Sequence, residues 1–299
     1  MATLPVIKIE NLVKYFGSFA AVNDISFEVF PGEIFGFLGP NGAGKTTTIR
    51  LLLDLLRPGK GKISVFGKDL SYHSFEIRKH CGYLPGNFSA YTNLSCMEFL
   101  RLCADLRGLP RHVDQGLLKR FGLDDHTMTR KIKYLSHGTI QKLGIVQAFF
   151  HQPELLILDE PTIGLDPLMQ EEFYSLLRER RQTGCTIFLS SHNLPEVERI
   201  CHRMAIIRNG ELVAVDSIEN LRHSLKRRLR ILLSYPVEDI KLPFADLISH
   251  NGLAYEFIIH GEWPAVLSRL AELPLADVTL PEPALEEIFI KYYKNGADG

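Results

Sequence analysis

At 299 residues, 45% apolar and 23% charged, the chain is long enough for one large domain with a smaller appendage and too apolar to be mainly disordered. Its net charge of −1 supplies no whole-molecule field for nucleic acid or anionic lipid, so any such contact has to be local. Five cysteines, odd in number and never spaced as CxxC, argue against a disulfide framework or a zinc knuckle and read as small buried side chains in a reducing compartment.

The opening run lacks the charged, apolar and small-residue succession of a signal peptide. No stretch approaches the roughly 18 continuous apolar residues of a spanning helix, so the chain is expected to be soluble by itself. In chain order, strands are predicted at Val6–Glu10, Ile25–Phe30 and Ile34–Leu38, the last running into a glycine-rich loop. A helix over Thr46–Leu56 follows, closed by Pro58-Gly59, and a strand over Lys62–Phe66. Cys81–Leu84 is strand-like. From Asn87 to Phe150 the pattern is helical and poor in strands, as an inserted helical subdomain would be. Leu155–Leu158 and Cys185–Ser190 are apolar strands flanking helical spacing over Gln170–Arg181, and this alternation indicates an α/β domain with a largely parallel sheet.

Beyond Asn220 the character changes. The basic cluster Lys226, Arg227, Arg228 and Arg230 precedes a strand at Ile231–Ser234. Strands at Tyr255–His260 and Asp277–Leu280 then alternate with helices near Pro264–Glu272 and Ala284–Tyr293, a small α+β domain. The expected division is 1–222 and 223–299, with the helical subdomain at about 87–150. The basic cluster reads better as a solvated face than as a membrane or partner contact.

The strongest local signal is Gly39-Pro40-Asn41-Gly42-Ala43-Gly44-Lys45-Thr46-Thr47, which fits GxxxxGK[ST] between a predicted strand and a predicted helix. Glycines let the backbone wrap phosphates, and the helix start aims free N–H groups at them. Lys45 reaches the outer phosphates, and the Thr46 hydroxyl is a ligand for Mg²⁺. Leu155–Asp159 delivers an acid from the end of an apolar strand, which suits Asp159 to the metal and leaves Glu160 to polarise a water. Alone, two carboxylates at a strand end would be an ordinary surface feature. His192 closes the run Ser190-Ser191-His192 at the carboxyl edge of another strand, where ligands of open α/β sheets collect.

The order of these motifs, with Leu135-Ser136-His137-Gly138 before the acidic strand and Pro161-Thr162-Ile163-Gly164-Leu165-Asp166 after it, resembles an ABC transporter ATPase over Val6 to about Asp216. The resemblance implies a P-loop NTPase core with an N-terminal antiparallel β subdomain and the inserted helical subdomain. It also implies a head-to-tail pair in which Ser136 and Gly138 of one subunit meet the γ-phosphate of ATP held on the phosphate loop of the other. Asp166 then links the two sites, His192 contacts the γ-phosphate, and Phe16 stacks on adenine, with Tyr15 the neighbouring candidate. Without that context Ser136 is simply a helix cap.

Two departures stand out. Where the family carries a glutamine or glutamate after Pro85, this chain has Gly86 and then Asn87. The signature has His137 and Thr139 in place of glycine and glutamine, while Gln141-Lys142 is a pair frequent in ABC-2-type exporters. Leu280–Phe289 resembles the ending of export-type ATPases with an accessory domain. The expectation is therefore an ATPase using ATP and Mg²⁺ with a transmembrane permease and a second ATPase subunit as partners, no nucleic acid, and a place at the cytoplasmic face of the membrane. The competing expectation is a soluble non-transport ABC ATPase of a cofactor-assembly or nucleic-acid- or ribosome-acting complex.

Overall fold

The computed structural model describes residues 3–111, 113–223, 227–237 and 240–281. The predicted helix at Ala284–Tyr293, all but the start of the Leu280–Phe289 segment, and Lys226 lie outside them. The chain divides into two compact units, Met1–Ser217 and Ile218–Gly299, so the boundary falls earlier than the expected 222/223.

The first unit opens with β1 (Ile7–Phe16) paired antiparallel to β2 (Phe19–Val29). Both run longer than the sequence alternation suggests, because irregularities between Ile9 and Tyr15 interrupt the period of two. After β3 (Ile34–Leu38) and α1 (Lys45–Leu52), the strands β4 (Lys60–Val65) and β5 (Lys68–Asp69) complete an antiparallel sheet of order β2-β1-β4-β5. Next come α2 (Leu70–Lys79), β6 (Cys81–Leu84) and a helical stretch: α3 (Cys96–Arg107), α4 (Gln115–Arg120), α5 (Asp125–Thr129) and α6 (His137–Phe149). The chain returns through β7 (Leu155–Asp159), α7 (Pro167–Gln182), β8 (Thr186–Ser191), α8 (Leu194–Ile200), β9 (Arg203–Arg208) and β10 (Glu211–Ser217). These build a second sheet, β10-β9-β3-β8-β7-β6, parallel except at the β10 edge.

That sheet is buried on both faces, which explains its unbroken apolar strands. Leu156, Leu158, Ile187 and Leu189 point into a core shared with α3 to α7. Phe35, Phe37, Leu155, Ile157 and Phe188 point the other way, against α1 and the antiparallel sheet. On this second side Phe27, Phe35, Phe37 and Phe188 stack with ring centroids 5.4–6.1 Å apart. Fully burying each such ring contributes about 2 kcal/mol, and together they fix β3 and β8 beneath the loops that leave their carboxyl ends. The five cysteines are free thiols, and burial pushes Cys81 and Cys185 up to about 12.

The second unit contains α9 (Ile218–His223), β11 (Arg227–Leu233), β12 (Ala245–Asn251), β13 (Ala254–Ile259), α10 (Trp263–Ala271) and β14 (Leu275–Thr279). Its antiparallel sheet has the order β12-β13-β11-β14, and Val266 and Leu270 of α10 pack on Leu229, Ile231 and Phe257. The described arginines of the basic cluster lie inside β11 rather than ahead of it. Arg228 and Arg230 both pair with Glu256 on β13, and the Arg227 guanidinium sits 5.9 Å from the Trp263 ring. These contacts within the unit answer much of the positive charge. Among the described residues no helix is long and apolar enough to cross a membrane.

Candidate functional site

The loop from Gly39 to Gly44 joins β3 to α1 at the carboxyl edge of the parallel sheet, where open α/β sheets collect ligands. Gly44 enters α1 with φ +109, and a Cβ there would come within 2.4 Å of the Ala21 carbonyl, so both conformation and space demand glycine. No side chain caps α1. By contrast α2 to α7 are capped by Asp69, Ser95, Asp114, Asp124, Ser136 and Asp166. A helix start left uncapped beneath a glycine-rich loop suits an anion.

Around this loop lies a cleft of about 280 Å³ lined by Phe16, Phe19, Asn41, Gly42, Gly44, Lys45, Thr46, Thr47 and Glu160 among others. Phe16 lines it and Tyr15 does not. Phe19, across the tight turn at Gly17 and 61% exposed, adds a second aromatic that the motif reading did not identify.

Lys45 is buried, and its ammonium donates to the Gly39 and Pro40 carbonyls at 2.6 and 3.0 Å. It also lies 3.1 Å from Glu160 Oε1. That oxygen is buried and accepts no well-aligned hydrogen bond, so the ion pair alone holds it. Glu160 Oε2 meets His192 Nδ1 at 2.7 Å. The Glu160 backbone sits at φ +49, a left-handed conformation uncommon for a non-glycine residue, fixed by Glu160 N donating to the Ser190 carbonyl and hydroxyl. Asp159 accepts from Thr46 Oγ1 at 2.8 Å and from Ser190 Oγ at 2.5 Å. Lys45, Thr46, Asp159, Glu160 and His192, far apart in sequence, are thus brought into one network.

Ser136, Gly138 and Asp166 form a second group. Ser136 caps α6, its hydroxyl engaged by Thr139 N at 3.2 Å and Thr139 Oγ1 at 2.8 Å, so the unusual Thr139 braces the serine. A Cβ on Gly138 would lie 2.9 Å from the Gly164 carbonyl, which explains a glycine where the signature packs on the loop after Glu160. Gln141 Nε2 reinforces that contact by donating to the Pro161 carbonyl at 2.9 Å. Asp166 caps α7 through Met169 N at 3.0 Å.

The β9–β10 turn was missed as a functional part. Asn209-Gly210, both at positive φ, is a strong hairpin signal. Gly210 N donates to the Ala43 carbonyl at 3.0 Å and its carbonyl accepts from Asn23 N at 2.8 Å, so the turn pins the phosphate loop to β2. Beside the metal-holding acid, a Cβ on Gly86 would stand 3.5 Å from the Asp159 carboxylate, and Asn87 is exposed.

Comparison with known proteins decides the family. A sequence profile described as ABC transporter matches residues 22–163. The bacitracin transport ATP-binding protein BcrA of Bacillus licheniformis is 34% identical over 312 residues, covering 98% of this chain and 99% of its own. The chain belongs to the ABC transporter ATP-binding proteins. It is accordingly an ATPase, and its core is an ABC cassette. YhcH of Bacillus subtilis, an uncharacterized ABC transporter ATP-binding protein, is 32% identical over 96% of this chain and 95% of its own. Among solved structures, an ATP binding subunit of an ABC transporter matches with 33% identity and a TM-score of 0.68, covering 73% of this chain and 92% of that one. The dimeric cassette MJ0796 shares the fold at a TM-score of 0.65 and 22% identity, over 71% of this chain and 98% of its own.

The residues present fit a magnesium–nucleotide. The uncapped helix start and buried ammonium suit phosphate, while Thr46 and Asp159 offer two hard oxygens. Among the described residues no cluster of three or more His, Cys, Asp or Glu could hold a metal by itself. Phosphate oxygens and water completing the shell is the usual arrangement for Mg²⁺.

Proposed function

We propose that this chain is the ATP-hydrolysing subunit of an exporter, working as one of two ATPase subunits on a separate transmembrane permease at the cytoplasmic face of the membrane. The observation that carries the proposal is the end-to-end likeness to BcrA, a bacitracin transport ATP-binding protein, because that likeness includes the second unit as well as the cassette. A probable multidrug ABC transporter ATP-binding protein, YbhF of Escherichia coli, also supports it: it is 37% identical over 73% of this chain and 38% of its own.

In this reading Lys45 exchanges the Gly39 and Pro40 carbonyls for phosphate oxygens, and Phe16, beside Phe19, offers an aromatic face to the base. Asn41, Gly42, Gly44 and Thr47 shape the loop around the phosphates. Thr46 and Asp159 would hold Mg²⁺, which when bound would supply neutralising charge to the transferring phosphoryl group. Glu160 accepts the proton of the attacking water through Oε1, the oxygen that pairs with Lys45 until that ammonium turns to phosphate. His192 holds the other carboxylate oxygen and faces the γ-phosphate. Ser136 and Gly138 complete the site of the other subunit, and Asp166 couples the two. Closing the pair almost completely requires ATP to favour the closed state by roughly 5 kcal/mol.

The test is affinity isolation of the full chain from detergent-solubilised membranes, with sequencing of what accompanies it. Recovery of an integral membrane subunit whose presence stimulates hydrolysis is the expected result. Recovery of soluble partners alone overturns the transport reading.

A further inference from the structure

Behind the site lies a carboxylate that the proposed chemistry does not use. Glu196, in the first turn of α8, is 3% exposed, and its side chain turns inward rather than to solvent. Its Oε2 accepts from Ser191 Oγ at 2.6 Å, and Ser191 immediately precedes His192. Its Oε1 accepts from Tyr174 OH of α7 at 3.4 Å. The Ser191 hydroxyl in turn receives Asn193 N at 3.0 Å, so the loop carrying His192 folds around this one contact. Two elements therefore meet on Glu196: the end of β8 and α7.

We propose that Glu196 is a positioning residue that ties the His192 loop to α7, the helix entered from the loop following Glu160, so that the two groups facing the phosphate keep their mutual geometry as nucleotide enters and leaves. The physical argument is that His192 and Glu160 come from different strands, and the one bond between their side chains involves a histidine that is itself exposed. Such a contact does not fix a loop. A buried carboxylate accepting hydroxyl bonds from both sides does, because each broken bond would leave a buried acceptor unpaired. The proposal rests on the roles given above to Glu160 and His192.

The experiment measures kcat and KM for magnesium-ATP, with thermal melting, on the full chain and on E196A, E196Q, S191A, H192A and H192A/E196A. Residues of one hydrogen-bond network couple strongly, so E196A is expected to lower kcat roughly tenfold with KM within about twofold. S191A, which cuts the same link with a smaller change, reproduces much of that loss. E196Q, keeping an acceptor for Ser191, recovers most of the rate. Because Glu196 acts through His192, the double variant is no slower than H192A. A lowered melting temperature with kcat intact in both E196A and S191A overturns the proposal, as does E196Q being as slow as E196A or losses that multiply in the double variant. Unchanged hydrolysis in H192A brings down the catalytic reading and this inference with it, whereas an impaired H192A beside a normal E196A and S191A brings down this inference alone.

Discussion

The two motif groups of the cassette are built differently. At the phosphate loop nearly every polar group is engaged inside the chain: Lys45 with two carbonyls and Glu160, Thr46 and Ser190 with Asp159, and His192 with Glu160. At the signature, Ser136 is exposed and engaged only within its own helical turn. The first end is organised by contacts within the chain, and the second presents a hydroxyl and a helix start to whatever approaches. Substitutions at the two ends should therefore fail in different ways.

The largest effects belong to the phosphate end. K45A removes a buried ammonium from a phosphate contact and should weaken ATP binding roughly ten- to a hundredfold, measured by equilibrium binding of a fluorescent nucleotide. E160Q should leave that binding intact while lowering hydrolysis about 10²–10⁴-fold, as loss of a general base does. If E160Q loses binding as severely as K45A, the division of labour within the network is wrong.

S136A sharpens the contrast. It removes a cap and, in the two-subunit reading, a contact to the partner's nucleotide. Binding to the isolated chain should be unchanged, and hydrolysis should fall about tenfold, the worth of one hydrogen bond to a charged group. Because two chains are required, the residual rate per molecule should rise with protein concentration. A binding defect at low concentration would place Ser136 at its own subunit's nucleotide instead.

How much of this was legible follows from the physics of each segment. β3, β7 and β8 are apolar runs ending in chemistry-bearing residues, so sequence located them with the phosphate loop, the acids and His192. α2 was not visible, because its buried residues reduce to Leu70 and Ile77 and it is kinked at His73. β9 and β10 went unread although Asn209-Gly210 marks their turn; the parallel pairing of β9 with β3 spans too much sequence for local pattern to show. β12 shows no apolar alternation, since nearly all of it is exposed. Glu196 could not be found by motif at all, and Ser190 enters only as part of the run ahead of His192. Their roles come from what they touch, and hydroxyls and carboxylates near a strand end look the same whether buried or not.

Glu196 gives a subtler test of the phosphate end, through pH. Burial raises its carboxyl above the ordinary 4.5, and the neighbouring Glu160 charge adds to that. The other groups around it are Tyr174, itself raised, with Arg199 and Glu171 beyond, and Cys201, whose thiol is also pushed up. A raised carboxyl binds its proton more tightly folded than unfolded, so its contribution to stability is fullest in acid and is lost as pH rises through the folded value. E196Q lacks that titration. Melting of E196Q relative to the parent chain should therefore improve from about pH 5 to pH 8. A difference independent of pH would mean the carboxyl titrates normally.

The smallest expected effect sits at Gly86, where this chain departs from the glutamine or glutamate expected after Pro85. A Cβ there would lie 3.3 Å from the Asp159 carbonyl and 3.5 Å from its carboxylate, so the backbone directs any side chain toward the metal-holding acid without a severe clash. Asp159 already accepts from Thr46 and Ser190, and an amide arriving at Gly86 adds a polar group beside a carboxylate whose position is fixed. G86Q should therefore raise steady-state hydrolysis by up to about fivefold, under 1 kcal/mol of barrier, with melting little changed. G86A is the control: it adds the Cβ but no amide, and should leave the rate where it was. If G86Q is no faster than G86A, the network around Asp159 is already complete, and the missing side chain is compensated from within the phosphate end itself.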